Sequence, residues 1–523
     1  MNRPSYGIDL GRTDMPLQHR YFLWAVIALF MVVAVWMGSK IGSGSYQQPM
    51  MVVAVLFGLG IGLWMGEKVW LLVPVAFLFN IGTIPVGGRT IELSELACAG
   101  VAFIALLRFA TRSQPLRIFR SLALGVVLYF LWAMFILVMN PVGLAVMGSA
   151  DVGLRFYFKI ALGFSAFLVM SNQKIGEWEC QFLIRMTLIG SVFSAIVDAS
   201  ATIAGIRETS ANTAAMGISG YSGSEGEGYT WHQSLSGPAM IFTAWMFSRY
   251  RSTEIFSIQR FYLPLIYLVA LVLALYSGKR VGFAMVLVFP LIALIVHKEW
   301  KAIMLSGVLA ILGISFLVAG HGSLFNLPFT VQRALSTLPG TDGWEAKRGF
   351  AESIDPFRDK MRELAWTKIQ ENPVIGKGFG LDVKDYLRIV QSGDFMTILV
   401  LGLAMGSSWH NTWLGYWADF GFPAIVFWAI FRLQFVWLSW KTYKLAEPKS
   451  AIQVLALMFF ISSIEGWLTS WTSGHSANDP YSQWWRYGFI VSLYTCLCLR
   501  RVRSVQPLRK SETKAYGSER ASA

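Results

Sequence analysis

Three small groups of residues in the later half of the chain have the types and spacings for chemistry on a phosphate ester. Lys279 and Arg280 are adjacent cations between two apolar runs. Arg358, Arg362 and Trp366 recur at i, i+4 and i+8 in the charged segment 355–366, so a helix there puts them on one face. His410 and Asn411 open the next apolar run. A guanidinium is planar and grips phosphate oxygens through paired hydrogen bonds. An imidazole accepts a hydroxyl proton near neutral pH. Cations that neutralise a leaving phosphate, with a base that activates a hydroxyl, would serve group transfer without a metal.

Each group also has a plainer reading. Lys279-Arg280 suits a hairpin whose cations meet lipid headgroups. The 355–366 helix suits a surface helix with its arginines toward headgroups and Trp366 at the interface. A lone histidine is commonly a structural hydrogen-bonding residue.

Lesser features stand beside them. Gly376-Lys377-Gly378-Phe379-Gly380 has three glycines but no strand before it, so it reads as a tight turn bringing the backbone close to something, with Lys377 as an extra cation. The 207–232 segment is rich in Gly and Ser and contains Glu225, Glu227 and His232. It reads as a flexible connector, with His232 a secondary site candidate. Asp198, Asp419 and Glu465 fall inside or near the ends of apolar runs, where ionisable groups are functional by default. Asp419 comes nine residues after His410. On a helix it would face away and lie ~13 Å deeper, which suits a packing or folding contact. There is no HExxH, CxxC or GxSxG pattern and no carboxylate cluster with metal-ligand spacing.

The elements that must position these groups are membrane helices. Of 523 residues, 55% are hydrophobic and only 14% charged. A soluble chain carries charge at about a quarter of its positions. Successive apolar runs approach the ~20 residues that cross a bilayer, so the fold class is an all-α polytopic membrane protein. Hydropathy predicts about fourteen spans. They lie near 21–38, 49–66, 69–86, 91–108, 121–139, 153–171, 180–204, 235–249, 261–277, 281–297, 302–320, 410–431, 451–471 and 485–500. The first is expected to be a retained helix, since no small-residue cleavage site follows it. The four cysteines lie in or beside apolar runs and imply no disulfide framework.

The net charge of +14 does not indicate nucleic acid, because the basic residues fall in alternate loops. One set comprises the N-terminus, 108–120, 249–260, 297–301, 441–449 and the tail after Arg500. These are expected on the cytoplasmic side. The organisation is then a cytoplasmic N-terminus (1–20), eleven helices (21–320), a large periplasmic loop with short helices (321–409), three helices (410–500) and a cytoplasmic tail (501–523), unstructured after Val505. Lys279-Arg280 then stands on the side poor in basic residues. In the loop, Asp355-Pro356 predicts a helix start and Asn372-Pro373 its stop.

These ordered pieces resemble the O-antigen ligase and polymerase superfamily of bacterial inner-membrane proteins. The resemblance rests on Ser277-Gly278-Lys279-Arg280, on Arg362-Glu-Leu-Ala-Trp366, on Asn372-Pro-Val-Ile-Gly376-Lys-Gly378-Phe-Gly380, and on His410-Asn411-Thr-Trp-Leu414 leading to Asp419-Phe-Gly421. Asp419 stands where many relatives have glutamate, and Lys279 before Arg280 is less usual. The resemblance implies a GT-C-like, metal-independent glycosyltransferase without a cofactor, working at the periplasmic face. Its donor would be an undecaprenyl-diphosphate-linked oligosaccharide. Arg280, with Arg358 or Arg362, would hold the diphosphate, and His410 would activate the acceptor hydroxyl. The span count and the 207–232 segment favour a polymerase of exopolysaccharide or O-antigen repeat units, working with a chain-length regulator and other assembly proteins. The alternatives are a ligase that transfers the glycan to lipid A–core and a transporter of lipid-linked oligosaccharide. A transporter would line a central cavity with charge from many helices.

Overall fold

In the computed structural model of the chain, the described residues are 65–79, 83–86, 89–110, 122–140, 154–203, 234–349, 355–379, 411–471 and 479–519. The expected span near 21–38, all but the end of that near 49–66, the 207–232 segment, and His232, Gly380 and His410 lie outside them. Residues Glu67–Ile84 and Arg89–Ala523 form one unit.

The helices, in chain order, are α1 Leu72–Leu78, α2 Leu93–Ala110, α3 Leu124–Met139, α4 Leu154–Ser171, α5 Glu177–Ile203 and α6 Ser236–Arg249. They continue with α7 Ser252–Ile255, α8 Tyr262–Tyr276, α9 Arg280–His297 and α10 Trp300–Gly320. Three loop helices follow, α11 Phe329–Leu335, α12 Glu345–Gly349 and α13 Asp355–Glu371. The last are α14 Thr412–Phe420, α15 Phe422–Leu445, α16 Ala451–Thr469 and α17 Asp479–Glu519. In lipid every backbone polar group must be satisfied inside its own segment, which is why apolar runs become helices. Among the described residues, six helices are long and apolar enough to cross a membrane: α4, Glu177–Val197 of α5, α9, α10, α15 and α16. Leu93–Leu106 of α2, α3 and α8 are apolar but shorter.

Three expected segments come out differently. The span near 69–86 is a 3-10 helix, Gly66–Leu71, followed by the seven-residue α1 and a strand pair, Thr83–Val86 with Arg89–Glu92. Pro74 has no N–H to give the preceding turn, and tighter 3-10 bonding takes over there. The run near 410–431 is broken at Gly421 into the nine-residue α14 and the membrane-length α15. Gly421 has φ +77°, which no interior helix residue adopts, and Pro423 suits the first turn of the new helix. Finally, α17 continues to Glu519, through the tail expected to be unstructured. Leu508, Arg509, Lys510, Glu512, Lys514 and Ala515 are good helix formers.

Polar contacts define two ends of the bundle. At one end the Glu177 carboxylate accepts from the N–H groups of Ala451 and Ile452, and the Arg249 guanidinium donates to the Lys449 carbonyl. Lys449 Nζ is 2.9 Å from Glu254, and the Ser252 N–H donates to Glu299 at 2.9 Å. The Lys449 ammonium, helped by the Arg251 N–H and the charge of Arg260, holds the Glu254 carboxyl below its ordinary value. Thus the basic segments 249–260, 297–301 and 441–449 meet at a single end, as the positive-inside pattern requires of loops on one side. From there α16 runs to Thr469 at the opposite end, where Ser470 and Trp471 meet Asn411 and Thr412. Helix α6 runs the other way, and its start lies against the start of α9: a Cβ added at Gly282 would come 2.8 Å from Ser236 Cβ. Arg280 and Asn411 therefore share the end opposite the basic loops.

Candidate functional site

The first part of the site is a turn. Helix α8 ends at Tyr276, and the Ser277 hydroxyl donates to the Ala274 carbonyl while accepting from the Lys279 N–H. Gly278, at φ +68°, turns the chain so that Lys279 becomes the N-cap of α9 and Arg280 its first residue. Helix α11 covers this turn. A Cβ at Gly278 would sit 3.3 Å from the Thr330 carbonyl and 3.6 Å from Cδ of Arg333. Lys279, Arg280 and Arg333 thus gather where the first turns of α6 and α9 meet. Helix starts carry unpaired N–H groups and a partial positive charge, so this corner suits an anion. Arg333 was not singled out in the sequence. Its one signal was an arginine in a short helix opened by Pro328, in the loop on the side poor in basic residues.

The second part is the loop helix and its anchor. Helix α13 spans the predicted segment and is followed by the Asn372-Pro373 stop. Its inner face buries Met361, Ala365 and Ile369 against Ala418 of α14. On that face Lys368 is also buried, 2.8 Å from the Asp419 carboxylate, and donates to the Gly378 carbonyl at 3.2 Å. Asp419 is therefore a packing contact with a charged partner that sequence spacing did not indicate. Arg358 falls within the arc of that inner face and is half-buried, while Arg362, one turn on, is exposed and paired with Asp359 at 3.0 Å. Trp366 is exposed and meets Trp417 edge-on at 5.9 Å.

Glycines make the anchor possible. A Cβ at Gly376 would overlap the Asp419 carbonyl, and one at Gly421 would overlap that of Val374. Gly378, at φ +77°, donates its N–H to the Asp419 carbonyl at 2.7 Å. The expected tight turn is present, and what it approaches is the break between α14 and α15. Phe379 seats it, with ring centroids 4.9 Å from Phe156, 5.0 Å from Tyr157 and 4.8 Å from Phe420. The Asn140 side chain donates to the Gly376 carbonyl at 3.1 Å. Lys377 pairs with Glu371 on the exposed side.

The third part is the start of α14. Asn411 is its N-cap, and its side-chain oxygen accepts from the Leu414 N–H at 3.1 Å. The Thr412 N–H donates to the Ser470 carbonyl at 3.1 Å, and Trp413 Nε1 to the Ser470 hydroxyl at 3.0 Å. The residue following His410 is thereby tied to the end of α16. Lys279 and Arg280 lie at this same end, with Arg333. Helix α13 packs on α14, whereas α9 packs chiefly on α6 and also on α8, α10, α11 and α16, so Arg358 and Arg362 stand on a helix other than those packed around Arg280.

Residues 265–429 match the family model described as O-antigen ligase. The chain carries an O-antigen ligase domain. Its matched span begins within α8 and ends within α15, so it holds the cation corner, the loop helices, the glycine turn and the Asn411 cap. For these matched residues the similarity supports the O-antigen ligase and polymerase superfamily, whose type of activity is glycosyl transfer at a membrane. No curated protein matches the chain.

Proposed function

We propose that the protein is a metal-independent glycosyltransferase of the bacterial inner membrane that polymerises repeat units of an exopolysaccharide or O-antigen. The donor is a glycan on undecaprenyl diphosphate, taken at the periplasmic face. The end with the basic loops and both termini is cytoplasmic, and the fold is of the GT-C type.

The observation that carries this reading is the gathering of Lys279, Arg280 and Arg333 at the joined starts of α6 and α9. These cations hold the donor diphosphate, with Arg358 and Arg362 as the loop's contribution. The acceptor hydroxyl oxygen attacks the anomeric carbon of the donor sugar and its proton passes to His410. The bond from that carbon to the diphosphate oxygen breaks, and the lipid diphosphate leaves with the electron pair. Electrostatic stabilisation of charge on a leaving group is a large contribution to catalysis, which suits a site built from fixed cations. Asn411 and the Gly376–Gly378 turn position the helix that His410 precedes.

Glycan profiling of a deletion strain tests this. A polymerase predicts loss of long chains with single capped repeats retained. Normal polymer left on undecaprenyl diphosphate would instead indicate a ligase to lipid A–core, and unchanged glycans would reject both.

A further inference from the structure

A cavity of about 390 Å³ opens at the basic end, between α5, α6 and the start of α16. It lies far from the cation corner and plays no part in the reading above. Glu177, Arg185 and Leu188 line it from a single stripe of α5, Trp245 and Arg249 from α6, and Lys449 from the chain before α16.

The charges in this cavity are unbalanced. Glu177 is committed to the N–H groups of Ala451 and Ile452, and Lys449 to Glu254. Arg249 donates to a neutral carbonyl, that of Lys449. Arg185 makes no hydrogen bond or ion pair with the described residues. It stands eight residues beyond Glu177, roughly 12 Å along α5 and inside the membrane-length segment Glu177–Val197. A guanidinium at that depth is costly without a counter-charge. Because helical side chains lean toward the N-terminus, Arg185 is directed back toward the rim where Arg249 and Lys449 stand.

We propose that this cavity holds the headgroup phosphodiester of an anionic phospholipid, bridged by Arg185 and Arg249. The apolar wall decides between a lipid and a free phosphate. Leu188 and Trp245 continue the cavity past the cations, which gives an acyl chain a surface that a small anion would leave exposed. Basic pockets between membrane helices at the cytoplasmic side are where anionic headgroups collect. The lipid ties α5 to α6 and α16 at the end opposite the site of transfer.

The test uses the full chain, purified in neutral detergent and stripped of lipid. Thermal unfolding and native mass spectrometry are followed on adding phosphatidylglycerol, phosphatidylcholine or inorganic phosphate. Phosphatidylglycerol is expected to raise the melting temperature and to add a bound lipid, with phosphatidylcholine and phosphate far less effective. Arg185→Gln without lipid should unfold at the wild-type temperature, since no hydrogen bond or ion pair among the described residues is lost. Its apparent affinity for phosphatidylglycerol should fall about tenfold or more, as loss of a charge-assisted phosphate contact predicts. Arg185→Lys should also fold normally and bind several-fold less tightly, because it keeps the charge and loses the fork. An equal response to phosphatidylcholine, or undiminished phosphatidylglycerol binding in both variants, overturns the proposal. Full stabilisation by phosphate alone makes this a free-anion site and overturns the lipid assignment. A lower lipid-free melting temperature in both variants makes Arg185 a structural residue and overturns it as well.

Discussion

Lys368 Nζ lies 2.8 Å from Asp419 Oδ1, with both side chains shut away from solvent. This pair joins the loop helix α13 to α14, the short helix that His410 precedes. It also helps fix which way α13 faces: with Lys368 turned inward beside Met361 and Ala365, Trp366 lies about 160° round the helix from it and faces out, and Arg362 is exposed. The exposure of Arg362 and Trp366 thus follows from a pair that does no chemistry itself.

Breaking that pair from one side should be severe. Lys368→Met leaves the buried Asp419 carboxylate without its ammonium partner, which costs about 3–5 kcal/mol. Replacing both partners, as Lys368→Met with Asp419→Leu, should recover most of the loss. Chemical denaturation of the purified variants measures this, and a single variant as stable as wild type would remove the pair's anchoring role.

Gly421 should tolerate no side chain. Gly421→Ala adds a methyl that overlaps the Val374 carbonyl at a backbone angle of φ +77°. Gly322 offers a control, because its φ is +80° but nothing lies within 4 Å of an added Cβ. Gly322→Ala should cost only the backbone strain, about 1–2 kcal/mol. Gly421→Ala should cost distinctly more and lower the yield of folded protein, read as monodisperse material in detergent. Equal behaviour of the two would show that the glycine turn can move aside.

The cation corner makes a kinetic prediction. Arg280→Ala and Arg333→Ala should each slow transfer about 10²-fold, the scale seen when a charge-stabilising donor is removed. Arg362→Ala should change stability by no more than ~1 kcal/mol, since its pair with Asp359 is exposed. Turnover of purified lipid-linked donor is the assay. A wild-type rate for Arg333→Ala would exclude that residue from the site and leave the corner as packing.

His410 is expected to act as the general base. A positioned base typically contributes ~10²–10⁴-fold, so His410→Gln should fold and bind donor yet lose that factor in transfer. Near-wild-type turnover by His410→Gln would make this histidine an anchor of the helix start.

The basic end carries an acid-sensitive clasp. Because the folded state lowers the Glu254 carboxyl from its ordinary value of 4.5, its contribution to stability is present above that value. It is lost as pH falls through the lower folded value. The melting-temperature advantage of wild type over Glu254→Gln should therefore hold at neutral pH and shrink below about pH 4.5. An advantage that grows on acidification would reverse the assignment. The effect should be modest, since Lys449 is largely exposed and screened.

Sequence alone determined whatever depends on neighbouring residues. The apolar runs of α4, α5, α9, α10 and α16 announce membrane helices because unsatisfied backbone is too costly in lipid for any other form. The bounds of α13 follow from Asp355-Pro356 and Asn372-Pro373, since backbone sterics act over one or two residues. The glycines at 376 and 378 announced a close approach, and the order of the motifs announced the superfamily. Only the tertiary structure decided what each of these meets. Nothing in the composition tells Lys368 to choose Asp419, brings Arg333 over Gly278, or places the break in the twelfth apolar run at Gly421. Those outcomes come from how whole helices pack, where the partner of a charge or a glycine is set by surfaces distant in the chain. Local rules state which groups need a partner, and the packing of the bundle supplies it.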